Sequence, residues 1–295
     1  MTLSVGFAGL GHMGLPMATR LADQGLTLTV WNRTPGRAAP LAGRGVPVAG
    51  SLAELAAGSD VLITMLADGQ AAREVWSRLL PACPPGCTGV DMSTIGPSAA
   101  RELAAEAARH GADFLDAPVS GSTALAEAGT LTTMVGGPAQ AFERVRPVLA
   151  ALTARQLHLG PAGAGAAMKL AVNIMIAATN QAVAEALALA ADAGITAASA
   201  YDTLAASAVS SPFLGYKRDA YLADEAPVAF TAALMAKDLE LALGLAGRAG
   251  LSLPVATAAR RSLDDACAAG FADADFSCVT RLLRSGVRDP HAGNS

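Results

Sequence analysis

Leu3-Ser-Val-Gly-Phe-Ala8-Gly9-Leu-Gly11-His-Met-Gly14, running on into Leu15 to Asp23, is the stretch that decides the fold. A short apolar run enters a glycine turn, and a helical segment follows. That strand–turn–helix order is the setting a Gly-x-Gly-x-x-Gly spacing needs before it carries meaning. Each glycine has its own duty: Gly9 makes the tight turn, Gly11 lets the backbone approach a pyrophosphate, and Gly14 lets the helix pack onto the strand. Phosphates then meet free N–H groups at the helix start. Leu10, His12 and Met13 fill the same loop and count as cofactor positions, although a solvent-exposed imidazole is the preferred reading of His12. A plain glycine turn is the competing reading.

The next apolar run, Leu26-Thr-Leu-Thr-Val-Trp31, ends in Asn32-Arg33-Thr34, about 20 residues after the glycines, where a dinucleotide fold reads the ribose. A carboxylate there would accept from the 2′-hydroxyl and repel a 2′-phosphate. This chain has none. Arg33 offers a planar cationic fork suited to phosphate, and Asn32 and Thr34 offer neutral hydrogen bonds. The expectation is NADP(H) rather than NAD(H), with an exposed loop arginine as the bland alternative.

Strand and helix patterns then alternate. Asp60–Leu66, Gly89–Ser93, Asp113–Pro118, Thr130–Val135 and Gln156–Leu159 read as strands, with helices over Gln70–Leu80, from Pro97 to His110, and over Gln140–Leu152. Such alternation predicts an α/β Rossmann domain with a doubly wound, mostly parallel sheet. Ligands then bind beyond the carboxyl ends of the strands, where Met65, Leu66, Thr94 and the turn Val119-Ser120-Gly121-Ser122 fall. Two hydroxyls and the N–H groups around Gly121 suit a carboxylate. An ordinary polar loop is the alternative.

Past Gly160–Gly165, where glycine and proline cluster, the strand signal stops. The expected division is 1–162 for a nucleotide-binding domain and 163–295 for an all-helical substrate and dimerisation domain. A long helix over Ala164–Ala191 should join them, apolar nearly all round and buried on several sides. A membrane span is rejected, because Asn173, Asn180, Gln181 and Glu185 interrupt the apolar run short of the ~20 residues a bilayer needs. Lys169 is the one cation in this helix, and Asn173 follows one turn later on the same face. Such a lysine is either used chemically or snorkels to water. Further helices read as Ala197–Ala208, Thr231–Arg248, Pro254–Ala269 and Phe276–Leu283, and the polar stretch Ser285 to Ser295 should fray.

Composition bounds the rest. The 295 residues suffice for two ordinary domains, and 52% hydrophobic against 16% charged residues argues for folded cores. A net charge of -4 gives no support for a nucleic-acid or membrane-surface binder. Cys83, Cys87, Cys267 and Cys278 form no metal-ligand pattern and read as reduced thiols. No metal is expected. Nothing at the start has the layout of a secretory signal, so a cytoplasmic setting is expected.

Several stretches together resemble the β-hydroxyacid dehydrogenase family, which includes 3-hydroxyisobutyrate dehydrogenases, tartronate semialdehyde reductases and glyoxylate/succinic semialdehyde reductases. Gly6-Phe-Ala-Gly9-Leu-Gly11-His-Met-Gly14-Leu-Pro16-Met-Ala18 resembles its cofactor signature, and Asp116-Ala-Pro-Val-Ser120-Gly121-Ser122 with Ala128-Gly129-Thr130-Leu131 its substrate signature. Gly163-Ala-Gly165-Ala-Ala-Met-Lys169-Leu-Ala-Val-Asn173 is similar to the catalytic signature, and Lys237-Asp238-Leu239 to a late cofactor-contact motif. Without that resemblance, Lys237-Asp238 would read as a solvated ion pair.

The resemblance implies Lys169 as the catalytic acid/base, Asn173 orienting substrate, Thr94 beside nicotinamide and substrate, and Lys237 beside the cofactor. It implies reduction of a small aldehyde bearing a carboxylate held by Ser120, Gly121 and Ser122, in a homodimer or homotetramer. Two departures narrow it. Val172 stands where many members have a first asparagine, and Ser120-Gly121-Ser122 replaces the Ser-Gly-Gly of 3-hydroxyisobutyrate dehydrogenases, which is nearer the glyoxylate/succinic semialdehyde pattern. Competing readings are a 3-hydroxyisobutyrate dehydrogenase, an imine reductase, which usually carries Asp or Tyr at the Lys169 position, and a non-catalytic cofactor-binding module.

Overall fold

A computed structural model describes residues 3–223 and 228–286. The chain divides into two compact units, Met1–Lys169 and Leu170–Ser295.

The first unit is built on eight strands: β1 (Ser4–Ala8), β2 (Thr27–Trp31), β3 (Val61–Thr64), β4 (Thr88–Asp91), β5 (Asp113–Asp116), β6 (Val119–Ser120), β7 (Leu131–Gly136) and β8 (Thr153–Gly160). Their order is β2-β1-β3-β4-β5-β7-β6, with β8 pairing β7. The first five are parallel, and the chain leaves β1 toward β2 on one side and returns to β3 on the other. That reversal is the switch point where such sheets bind ligands. The far edge differs from a parallel sheet: β7 runs antiparallel to β5 and β6. The stretch between β5 and β7 holds a two-residue strand and a short helix, so the chain turns back instead of crossing over.

Seven helices cover this sheet: α1 (Gly14–Asp23), α2 (Ala39–Ala42), α3 (Leu52–Ala57), α4 (Gly69–Leu79), α5 (Pro97–Arg109), α6 (Thr123–Ala128) and α7 (Ala139–Ala150). Period-two alternation along the strands sends side chains to two cores. Val5, Phe7, Val61 and Ile63 pack with Met17 and Leu21 of α1 and Phe142 and Val145 of α7. Ala8, Leu62 and Phe114 pack with Leu55, Trp76 and Leu103 on the other face. Gly89 leaves room for Trp76, whose ring a Cβ there would meet at 2.6 Å.

The second unit is helical: α8 (Ala164–Asp192), which begins in the first unit, then α9 (Ala197–Ala206), α10 (Pro212–Leu222), α11 (Ala232–Arg248), α12 (Pro254–Ala266) and α13 (Val279–Gly286). The fraying expected of Ser285 to Ser295 lies, from residue 287 on, outside the described residues, while Ser285 and Gly286 close α13. Burial of α8 differs from expectation. Ala166, Leu170, Asn173, Ala177, Asn180, Ala184 and Leu187 are buried, a seam with alternating steps of four and three. The opposite face is open, with Met175 67% and Leu189 74% exposed. Among the described residues α8 is the one helix long and apolar enough to span a membrane. Its polar seam is nonetheless satisfied by protein: Asn180 donates to the Phe276 carbonyl at 3.1 Å and accepts from the Tyr221 hydroxyl at 2.7 Å.

A buried ion pair closes the second unit. Lys217 Nζ lies 2.6 Å from both oxygens of Asp275, and the same carboxylate accepts from the N–H groups of Ala229 and Ser277, both at 3.1 Å. Burial pushes the Lys217 amine down, and Asp275 opposes that shift. The four cysteines are free thiols.

Candidate active site

The glycine loop sits at the switch point, and its three glycines separate by environment. Gly9 has φ +102°, and a Cβ there would strike the Met65 carbonyl. Gly14 lies against the Gly9 carbonyl, so any side chain would push α1 off the strand. A Cβ on Gly11 would meet nothing within 4 Å. The protein itself makes no use of that missing side chain, which is what a cradle for an incoming pyrophosphate requires. Met13 at the start of α1 supplies no side-chain cap to the helix N–H groups. His12 is exposed, as expected.

Asn32 serves this loop. Its Oδ1 accepts from the Leu10 N–H at 2.8 Å, and its Nδ2 donates to the Thr34 carbonyl at 2.9 Å. The Oδ1 end therefore holds the glycine loop, and the Nδ2 end ties the turn that follows β2. Arg33 and Thr34 are exposed just past β2. Arg37 is also exposed, on a single 3₁₀ turn over Pro35–Ala38.

The ends of β3 and β4 are tied by a buried network. Asp91 accepts from Thr64 Oγ1 at 2.6 Å, Trp76 Nε1 at 3.2 Å and the Ser93 N–H at 3.0 Å. Ser93 Oγ accepts in turn from the Leu66 N–H at 2.8 Å. Burial raises the Asp91 pKa, and these hydrogen bonds pull it back. The network fixes Met65–Leu66 and the loop carrying half-buried Thr94 at adjacent strand ends.

The substrate signature is partly strand. Val119 and Ser120 pair with Thr133 and Thr132 rather than lying in a turn, because Thr133 Oγ1 donates to the Ala117 carbonyl at 2.8 Å and holds the segment down. Gly121 has φ +144°, and a Cβ there would meet Leu131 at 2.6 Å. Ser122 caps α6, its Oγ accepting from the Leu125 N–H at 3.4 Å. Ser120 and Ser122 are both half-buried.

Asp116, at the end of β5, reaches the start of α8. Its two oxygens accept from the N–H groups of Gly163 and Ala166, each at 2.7 Å. Burial raises the Asp116 pKa, and those two bonds lower it. Half-buried Lys169 lies three residues past Ala166 on this helix. In the second unit Asn173, 2% exposed, donates through Nδ2 to Asp238 Oδ2 at 2.5 Å, and Lys237 Nζ lies 3.0 Å from Asp238 Oδ1. The Lys237–Asp238 pair is thus no solvated surface pair: Asp238 is fully buried.

Residues 4–160 match the family described as the NAD binding domain of 6-phosphogluconate dehydrogenase. Residues 163–283 match that described as NAD-binding of NADP-dependent 3-hydroxyisobutyrate dehydrogenase. The chain is 37% identical to the NAD-dependent L-serine dehydrogenase of Pseudomonas aeruginosa, over 95% of this chain and 97% of that one. It is 34% identical to glyoxylate/succinic semialdehyde reductase 2, chloroplastic, of Arabidopsis thaliana, over 96% and 80%. The solved structure of Mycobacterium tuberculosis 3-hydroxyisobutyrate dehydrogenase with L-serine superposes with a TM-score of 0.87 at 36% identity, covering 96% of this chain and all of that one. With two family matches that together span the chain, and relatives above 30% identity along nearly its whole length, the protein belongs to the β-hydroxyacid dehydrogenases, NAD(P)-dependent oxidoreductases acting on CH–OH groups.

Proposed function

We propose that this enzyme is an NADPH-dependent reductase of a small aldehyde bearing a carboxylate, with glyoxylate or succinic semialdehyde as the type of substrate, working reversibly on the hydroxyacid. The bound nicotinamide supplies or takes the hydride. The observation that carries the cofactor choice is the end of β2, where Arg33 is exposed and no carboxylate stands in its place. Gly9, Leu10, Gly11, His12, Met13 and Gly14 hold the pyrophosphate side of the cofactor, and Asn32 serves that role through Leu10. Met65, Leu66 and Thr94 border it, and Lys237 is assigned to the cofactor through its motif.

Lys169 holds the proton that the carbonyl oxygen takes up during reduction, and removes it in the reverse direction. Asn173, one helical turn on, orients substrate and is itself held by Asp238. Ser120, with the backbone around Gly121 and Ser122, binds the carboxylate. A role in cytoplasmic metabolism fits this chemistry. The open face of α8, with Met175 and Leu189 exposed, supports a homodimer or homotetramer.

Replacing Arg33 tests the cofactor choice. Arg33→Ala should raise KM for NADPH and leave KM for NADH nearly unchanged. Equal losses for both would remove the 2′-phosphate from Arg33.

A further inference from the structure

The proposed chemistry makes no use of Asp116, yet its side chain joins two parts of the first unit on which that chemistry depends, the end of β5 and the start of α8. An ordinary helix cap comes from the residue just before the helix and ties the helix only to its own chain. The carboxylate on the start of α8 comes instead from a strand 47 and 50 residues earlier in sequence. Each oxygen takes a different N–H, at Gly163 and at Ala166, both at 2.7 Å. Two bonds to one planar group, one just before α8 and one in its first turn, fix both the height of the helix start on the sheet and its rotation about its axis.

The surroundings are shaped for this contact. Asp116 is 1% exposed. A Cβ on Gly136 would come within 2.6 Å of Asp116 Oδ1, and a Cβ on Gly165 within 2.6 Å of the Asp116 carbonyl. Lys169 stands three residues after Ala166, on the same side of the helix. Ser120 stands four residues after Asp116, in a segment pinned by Thr133. The Asp116 carboxylate therefore ties the start of the helix that carries the acid to the strand that leads into the substrate loop.

We propose that Asp116 is a positioning residue, whose carboxylate fixes the start of α8 against β5 and thereby sets where the Lys169 ammonium stands relative to Ser120. This rests on Lys169 being the acid/base.

The test is a double-mutant cycle with NADPH and succinic semialdehyde, using Asp116→Asn, Lys169→Ala and the combination. An Asn amide can accept only one of the two N–H groups, and turns its own donors toward the other. A displacement near 1 Å costs about 10²-fold, so Asp116→Asn should lower kcat by roughly that factor. The dissociation constant for NADPH, read by cofactor fluorescence, should not change. Because Asp116 acts through Lys169, adding Asp116→Asn to Lys169→Ala should lower kcat no further. Asp116→Glu keeps the charge but moves it by one methylene. It is the second variant should the Asn protein melt below assay temperature, and the same split of lower kcat with unchanged NADPH affinity is expected. Wild-type kcat in either variant, or a loss that multiplies onto that of Lys169→Ala, would overturn the proposal. Full turnover by Lys169→Ala alone would instead contradict the assignment of the acid, and remove this proposal with it.

Discussion

Lys169 is the one cation in the 29 residues of α8, and only its chemistry distinguishes it from a lysine that merely reaches for water. Lys169→Ala should lower kcat by roughly 10²–10⁴-fold, the usual worth of a positioned acid, with little change in cofactor affinity. Stopped-flow NADPH oxidation measures this, and near-wild-type turnover would move the acid elsewhere. At this scale the sequence was legible where a residue's duty follows from its own backbone. Gly9 turns at positive φ and Gly14 lies against its carbonyl, as their spacing implied. It was less legible where a polar side chain has two possible customers. Asn32 looks like a ribose contact in sequence, and its amide also ties the glycine loop and the turn after β2. Ser122 looks like a ligand donor and also caps α6. Spacing gives a side chain's chemistry and not the partner that tertiary contact brings.

At the scale of elements, Gly165 poses the sharpest conflict between local and tertiary forces. Gly→Ala inside a helix ordinarily stabilises by about 0.8–1.0 kcal/mol. Here the added Cβ would press on the Met134 carbonyl, the Asp116 carbonyl and the Gly136 N–H, all backbone groups that cannot swing aside. Overpacking of this kind costs typically 1–3 kcal/mol, so Gly165→Ala should lower stability in a denaturant melt. A stabilised variant would show that the start of α8 is not seated as described. Long elements with strong periodicity were readable in advance. α2, α3, α6 and α10 were not recognised, although Ser51 with Glu54 and Ser211 with Pro212 mark the starts of α3 and α10. α3 has only six residues, too few to show a helical period. The antiparallel turn of β7 had no local signature at all, since strand direction is set by the path of the intervening chain. The burial of α8 was overestimated for a related reason: an all-apolar helix looks the same from sequence whether one face or every face is covered.

Over the whole molecule, two units with different architectures follow from a strand signal that runs to Gly160 and then ceases. The cohesion of the second unit depends on a feature no periodicity predicts, the buried pair of Lys217 and Asp275. Removing one partner leaves a buried charge, which costs about 3–5 kcal/mol, so Lys217→Met should lower the melting temperature sharply. An unchanged melting temperature would mean that the N–H groups of Ala229 and Ser277 satisfy Asp275 on their own. The substrate class is also a property of the whole, because it combines a loop, an acid and a cofactor. A hydrogen bond to a charged group contributes about 1.5–3 kcal/mol, so loss of Ser120 should weaken kcat/KM on a carboxylate-bearing aldehyde by roughly 10- to 150-fold. The decisive measurement is the ratio of kcat/KM for succinic semialdehyde to that for butanal, with NADPH, in the wild type and in Ser120→Ala. The ratio should strongly favour succinic semialdehyde in the wild type and collapse in the variant; a wild type that prefers butanal, or equal losses on both aldehydes, would contradict the assignment.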